Sequence, residues 1–234
     1  MMLCLIASVA FAVSPDVVEQ RLQEIEELRA QRVERGAPPI SMANARKAAQ
    51  GSVVTGVTGS KAWAVAVLNI PIGQLWAGIN DETRHPGYTA VAYSELISGR
   101  VCGSGRHVLQ YLPVPMISDR WWIAVIRHNR TIIDASGGSV RELYWRSSVD
   151  PTEVTSAAGQ KMIDAGAPIG STRGAWLLVA VDQFNTYVEY YSNTDPGAGV
   201  PSSITSRLAA SGVRDTIKAV HKFSAGGKPV CPVY

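Results

Sequence analysis

The sequence predicts an α+β fold in which a curved antiparallel β-sheet wraps around a long C-terminal helix. Two observations set the architecture. From residue 51 onward, candidate strands follow one another with turns between them rather than helices, which is the pattern of antiparallel connections and not of parallel crossover units. The last strand stops abruptly at NTDPGAGVP, residues 193–201, and the longest helical segment of the chain starts there. A third observation bears on the interior. Apolar residues make up 46% of the chain and charged residues 18%, below the usual share of about 25%.

A chain of 234 residues suits one domain of ordinary size, with or without an appendage, and is long enough to fold without a disulfide framework or a metal. The net charge of +3 is too mild for a nucleic-acid footprint, and no Lys/Arg cluster forms a basic stripe, so no nucleic-acid partner is expected. Residues 1–12, MMLCLIASVAFA, are apolar and end in the Ala10, Phe11, Ala12 pattern of a cleavage site. They are too few to span a bilayer, which takes about 20 residues. The expectation is a signal peptide, truncated at its start, which implies a periplasmic or secreted protein; the alternative is a buried N-terminal strand. Cys4 would leave with the signal. Cys102 and Cys231 remain, enough for one disulfide, although spacing alone does not pair them.

The elements follow in order. Ser14, Pro15 and Asp16 read as a helix start: a capping serine, a proline at the first helical position and an acid at the positive end of the dipole. Val18, Leu22, Ile25 and Leu28 give that helix one narrow apolar face. Residues 13–50 are therefore an N-terminal helix and linker. The period then changes to two. KAWAVAVLN places Trp63, Val65 and Val67 on one face, and Ala62, Ala64 and Ala66 on the other. PIGQLWAGIND reads as a short helix. TAVAYSELI, RHVLQYLPV, RWWIAVIRH, RELYWRSSV, AWLLVAV and TYVEYYS read as strands separated by Gly- and Ser-rich turns. The segment between the fourth and fifth of these holds a short helix.

The last helix, over residues 200–222, would run roughly 35 Å at 1.5 Å per residue, enough to cross the sheet. Val200, Ile204 and Leu208 share one face, while Val213, Ile217 and Val220 share another that lies nearly opposite. The switch falls at Ser211 and Gly212, where glycine costs about 1 kcal/mol against alanine. Either the helix breaks or bends there, or its two halves are covered from different sides. Glycine is admitted for close packing, or it is a soft point that lets part of the helix lift from the sheet. Both make the helix a roof over something.

The order of these elements and several local strings resemble the START domain, the steroidogenic-acute-regulatory-related lipid-transfer module of the helix-grip superfamily. The resembling strings are PIGQLWAGINDE, YLPVPMISDRWWIAVIRHN, RGAWLLVAVD and YVEYYSNTDPGAGVPSSITSRL. The family closes its last strand with an Asp-Pro-Gly-Gly-like turn and starts its final helix with a proline. The resemblance covers roughly three quarters of the chain and implies a START-like lipid-binding domain at residues 51–225, with a C-terminal tail at 226–234. The sequence departs from the family at Ala198, where a second glycine is common, at Trp121, where an aspartate is frequent, and at Ile126, where steroid-carrying members often hold a buried arginine.

The resemblance implies a non-catalytic protein that holds a hydrophobic lipid in its cavity and moves it between membranes through transient membrane contact, as a monomer and without a cofactor. A sterol or triterpenoid leads, then a phospholipid or fatty acid. Strand alternation puts Arg120, Trp122, Ala124 and Ile126 on the inner face, and only one of Trp121 and Trp122 can face inward. Tyr111, Trp176 and Tyr190 are bulky groups with a polar tip suited to a lipid head. Ile204 and Leu208 contribute from the helix. For each of these, ordinary core packing is the competing explanation.

Enzyme motifs are weak. There is no G-x-S-x-G elbow, no H-E-x-x-H, no C-x-x-C, no G-x-G-x-x-G after a strand and no phosphate loop. Four scattered histidines make a metal site improbable. The alternative function is a polyketide cyclase or aromatase of the same superfamily, with Arg120, Tyr111 or Glu189 as its polar groups.

Overall fold

The computed structural model describes residues 13–232 except 38, 116, 149, 199, 201 and 228, and describes only the main chain at 202–208 and 210. Residues 1–12, with Cys4 and the expected signal segment, lie outside the described residues.

Nine strands form one sheet: β1 (Val54–Thr58), β2 (Lys61–Leu68), β3 (Tyr93–Ser98), β4 (Arg106–Leu112), β5 (Arg120–His128), β6 (Val140–Ser148), β7 (Ala167–Pro168), β8 (Ser171–Ala180) and β9 (Thr186–Asp195). Their spatial order is β1-β2-β9-β8-β6-β5-β4-β3, antiparallel throughout, with the two-residue β7 added parallel to β5. All the strands expected from period-two alternation are present. Residues 120–128 alternate as expected, with Trp121 on the outer face and Trp122 inside.

Helices cover both faces. α1 (Pro15–Glu24), α2 (Glu26–Arg29) and α3 (Met42–Ala49) lie on the outer face. Ser14 caps α1 by accepting the Asp16 N–H, and Ser41 caps α3 by accepting the Asn44 N–H. Val18, Leu22 and Ile25 bury against Val65, Leu177, Val179 and Tyr187, with Ala45, Ala48 and Ala49 alongside. The apolar face read from the sequence is thus the docking face. Glu189, buried on the outer side of β9, fixes the register by accepting from Arg29 at 2.5 Å and Arg32 at 2.7 Å. Within residues 13–50, α1, α2 and α3 thus form a cover for the outer face of the sheet. Farther along the same face, α6 (Ala157–Ala165) presents Met162 and Ile163 to Leu109, Tyr111, Trp121 and Ile123.

The inner face is roofed by α7 (Ser202–Ala225), which packs on α4 (Ile72–Ile79), β1 and β2. α5 (Arg130–Ala135) fills the turn from β5 to β6. α7 is one unbroken helix of 24 residues through Gly212. Its second half is the anchored half: Val213, Ile217, Val220 and Phe223 are all buried. The close-packing reading of Gly212 is corrected, since a Cβ built there meets nothing within 4 Å. The helix does not break either. Gly212 faces open space on the wall described next.

A disulfide joins Cys102, in the turn from β3 to β4, to Cys231, with 5.6 Å between their Cα atoms. Val230 donates its backbone N–H to the Asp81 carboxylate at 2.9 Å, so the chain after α7 is tied both to the end of α4 and to the turn from β3 to β4.

Candidate functional site

Between the inner sheet face and α7 lies a cavity of about 330 Å³. Its existence follows from residue sizes. On β2 the inward positions are the alanines 62, 64 and 66, all buried; Ala62 lines the cavity and gives it almost no side-chain volume, while Ala64 and Ala66 belong to the core with Val213, Ile217 and Val220 of α7. On α7, Ala209 and Gly212 face the same space, again with little bulk. A sheet and a helix that would otherwise pack side chain to side chain are left with a gap.

The opposite wall is aromatic. Trp122, Trp145, Trp176 and Tyr190 line it together with Ala124, Ile126 and Leu143. Trp176 and Tyr190 sit directly opposite each other on β8 and β9, with ring centroids 4.3 Å apart, and Trp145 stacks on Tyr190 at 5.7 Å. Trp145 reaches this position because its partner in β8 is Gly174: a Cβ there would run into the indole. Burial pushes the Tyr190 hydroxyl well above the ordinary phenol pKa, so it is neutral at any physiological pH.

Polar groups gather at two places on the wall. After α4 the chain reads Asn80, Asp81, Glu82. Glu82 lines the cavity and forms an ion pair with Arg106, which is only 1% exposed. Arg106 also donates to Asn80 Oδ1 at 3.2 Å and to the Gly103 carbonyl at 2.6 Å. His128 Nε2 meets the same Asn80 oxygen at 2.6 Å. Burial, with Arg106 and Arg130 nearby, pushes the His128 imidazole down to about 4, so it is neutral. Elsewhere on the wall, Thr172, Ser192 and Thr194 form a row of hydroxyls, with Thr172 to Thr194 at 2.9 Å and Ser192 to Thr194 at 3.1 Å.

Arg120 marks the remaining polar point. It is 5% exposed, and its guanidinium donates to the Pro196 carbonyl at 2.8 Å, to the Ser118 carbonyl at 2.6 Å and more distantly to the Ala198 carbonyl. It clamps the turn between β9 and α7, the NTDPGAGVP stretch that launches the helix. Its acceptors are neutral, and it has no carboxylate partner among the described residues.

Of the residues expected at the site, Arg120, Trp122, Ala124, Ile126, Trp176 and Tyr190 line this cavity. Tyr111 does not, and that placement is corrected. It pairs with Trp121 across β4 and β5, lies on the outer face under α6, and donates its hydroxyl to Asp119. Its neighbours Gln110 and Leu112 face inward instead, with Gln110 accepting from the Trp122 indole at 3.0 Å. Glu189 is likewise on the outer face. The side chains of Ile204 and Leu208 lie outside the described residues. Trp145, Glu82 and the hydroxyl row went unread in the sequence. Trp145 sits one strand position beyond Tyr144, in a segment where both faces carry large groups.

Among the described residues, no group of three or more His, Cys, Asp or Glu side chains is placed to hold a metal ion, and no helix is long and apolar enough to cross a membrane. No protein-family model and no curated protein matches the chain. Solved structures do match it. A fragment of the STAR-related lipid transfer protein from Xanthomonas axonopodis superposes with a TM-score of 0.57 at 18% identity, covering 73% of this chain and 90% of that one. Human StAR-related lipid transfer protein 5 gives a TM-score of 0.60 at 8% identity, covering 89% of this chain and 98% of the human one. An aromatase/cyclase from Streptomyces gives 0.49 at 11% identity, over 70% of this chain and 93% of its own. At these identities the likeness is one of fold. The fold is of the START type.

Proposed function

We propose that this protein is a non-catalytic lipid carrier, which shields one hydrophobic lipid molecule in the cavity between its sheet and its last helix. The single observation that carries the reading is the cavity itself. Its volume of about 330 Å³ is in the range of small-molecule sites, and its wall is mainly apolar and aromatic with a few placed polar groups. Burying apolar ligand surface yields about 25 cal/mol per Å², so a few hundred Å² suffices for binding with no chemical step.

The titratable groups on the wall favour holding over turnover. Glu82 is committed to Arg106, and Arg120 is engaged by backbone carbonyls. A general acid or base needs a proton to exchange with a bound substrate, and each of these groups already has a structural partner. A sterol or triterpenoid is the favoured guest, because the wall offers flat aromatic faces. The Cys102–Cys231 bridge supports an oxidising compartment, which in a bacterial cell means the periplasm or the exterior.

The test is extraction of the purified protein with organic solvent, followed by mass spectrometry of the extract. A lipid recovered in near-stoichiometric amount is the expected result. A protein that yields no lipid, and that takes up none when offered a panel of sterols, triterpenoids, fatty acids and phospholipids, would end the carrier reading.

A further inference from the structure

The carrier reading leaves open what the cavity recognises. Most polar groups on its wall are already satisfied by the protein: the Trp122 indole by Gln110, the Trp145 indole by Thr172, Thr172 by Thr194, Glu82 by Arg106 and His85 by the Gly78 carbonyl. Tyr190 is different. Its hydroxyl makes no hydrogen bond with any described residue, although its ring is in contact with both Trp145 and Trp176 on the cavity wall. Directly across from Tyr190 on β2 is Ala64, which is fully buried and too short to reach it.

The ring is partly buried and touches both indoles, so a guest lying beside them meets the Tyr190 hydroxyl, and a hydrocarbon there would leave that donor without a partner. Its pKa, raised by burial alone, keeps the proton on the oxygen, so the group is a permanent donor. The two indoles and Trp122 offer flat faces to whatever lies beside it, and flat faces are covered best by a flat guest.

We propose that Tyr190 is the specificity-determining residue of the cavity, donating a hydrogen bond to a single oxygen on a lipid built from fused rings. The inference rests on the carrier reading and narrows it. An oxygen placed to meet Tyr190 satisfies the hydroxyl, whereas a hydrocarbon of the same shape leaves it unpaired. The cavity therefore discriminates by one oxygen, and the aromatic wall by ring against chain.

The test measures affinity for three probes delivered from cyclodextrin: a steroid ketone, its parent steroid hydrocarbon, and a straight-chain ketone of equal carbon number. The wild-type protein is expected to prefer the steroid ketone to the hydrocarbon by about three- to ten-fold, the worth of one net hydrogen bond. It is also expected to prefer the steroid ketone to the chain ketone. Tyr190→Phe removes only the oxygen, and should erase the first preference while leaving affinity for the hydrocarbon within about two-fold. In the wild-type complex, the carbonyl stretch of the bound steroid ketone should shift to lower frequency in the infrared, a readout that needs no variant. An unshifted carbonyl, a preference that survives Tyr190→Phe, or equal binding of chain and steroid ketones would overturn the proposal. Failure of the wild-type protein to bind any of the three would instead strike the carrier reading beneath it.

Discussion

Arg120, the first residue of β5, holds the carbonyl of Pro196 at 2.8 Å across the sheet, in the turn that carries the chain from β9 into α7. The start of the roof is thus positioned by a cation from the first residue of a wall strand. Replacing Arg120 with Met keeps the apolar stem and removes every donor, leaving the carbonyls of Pro196 and Ser118 unsatisfied. The expected loss is about 3 kcal/mol of stability, read as a lower urea midpoint. Arg120→Lys should recover only part of it, since an ammonium cannot reproduce the planar fork. A variant as stable as wild type would show that the clamp does not hold the turn.

The disulfide closes a loop of 129 residues between Cys102 and Cys231. A bridge over so long a loop stabilises mainly by restricting the unfolded chain, and Cys231→Ser is expected to cost about 3–5 kcal/mol. The same loss should follow reduction of the wild-type protein with dithiothreitol, and reduction should leave the serine variant unchanged. Equal urea midpoints for oxidised and reduced wild type would contradict this.

How much of this was legible in the sequence can be followed residue by residue. On β2 the pattern was clear because one face is all alanine and the other holds Trp63, Val65 and Val67; the structure puts them on the faces expected. On β4 it was not. Val108 and Leu109 are both fully buried, and Gln110 and Tyr111 both carry apolar bulk with a polar tip, because α6 covers the outer face as thoroughly as the cavity occupies the inner one. Alternation has no polar side to reveal there, and the face of Tyr111 was set by its register against Trp121. α3 did leave a local sign, the capping Ser41 before an alanine-rich run, which the strand pattern beginning at residue 51 overshadowed. The Glu82–Arg106 pair left none, since 24 positions separate partners that meet only in the folded chain.

His128 makes stability depend on pH. Its pKa is about 4 in the folded protein and about 6.5 in an unfolded chain. Between those values the unfolded chain takes up a proton that the folded protein refuses, so stability is full above about pH 6.5 and falls as the pH drops toward 4. His221, also lowered by burial, acts in the same direction. Carboxylates change stability over part of this range, so the informative quantity is a difference. Urea midpoints of wild type and His128→Gln should converge as the pH falls from about 7 to 4. A constant gap would mean that His128 is protonated in the folded state as readily as in the unfolded one.

Gly212 separates the two roles of α7. A glycine in a helix interior costs about 1 kcal/mol relative to alanine, and no neighbour requires it, since a Cβ there meets nothing within 4 Å. Gly212→Ala should therefore raise stability by up to about 1 kcal/mol while trimming the cavity by a single methyl group. Gly212→Phe carries the argument further. Gly212 is exposed and borders the cavity, so a ring there would stand at its edge and crowd it, while the anchored half of the helix at Val213, Ile217 and Val220 is undisturbed. The expected outcome is a protein that melts cooperatively at or near the wild-type temperature yet yields no co-purifying lipid. A Gly212→Phe protein that still carries a full complement of lipid would place the guest elsewhere, and the space under α7 would then be an unfilled gap in the core.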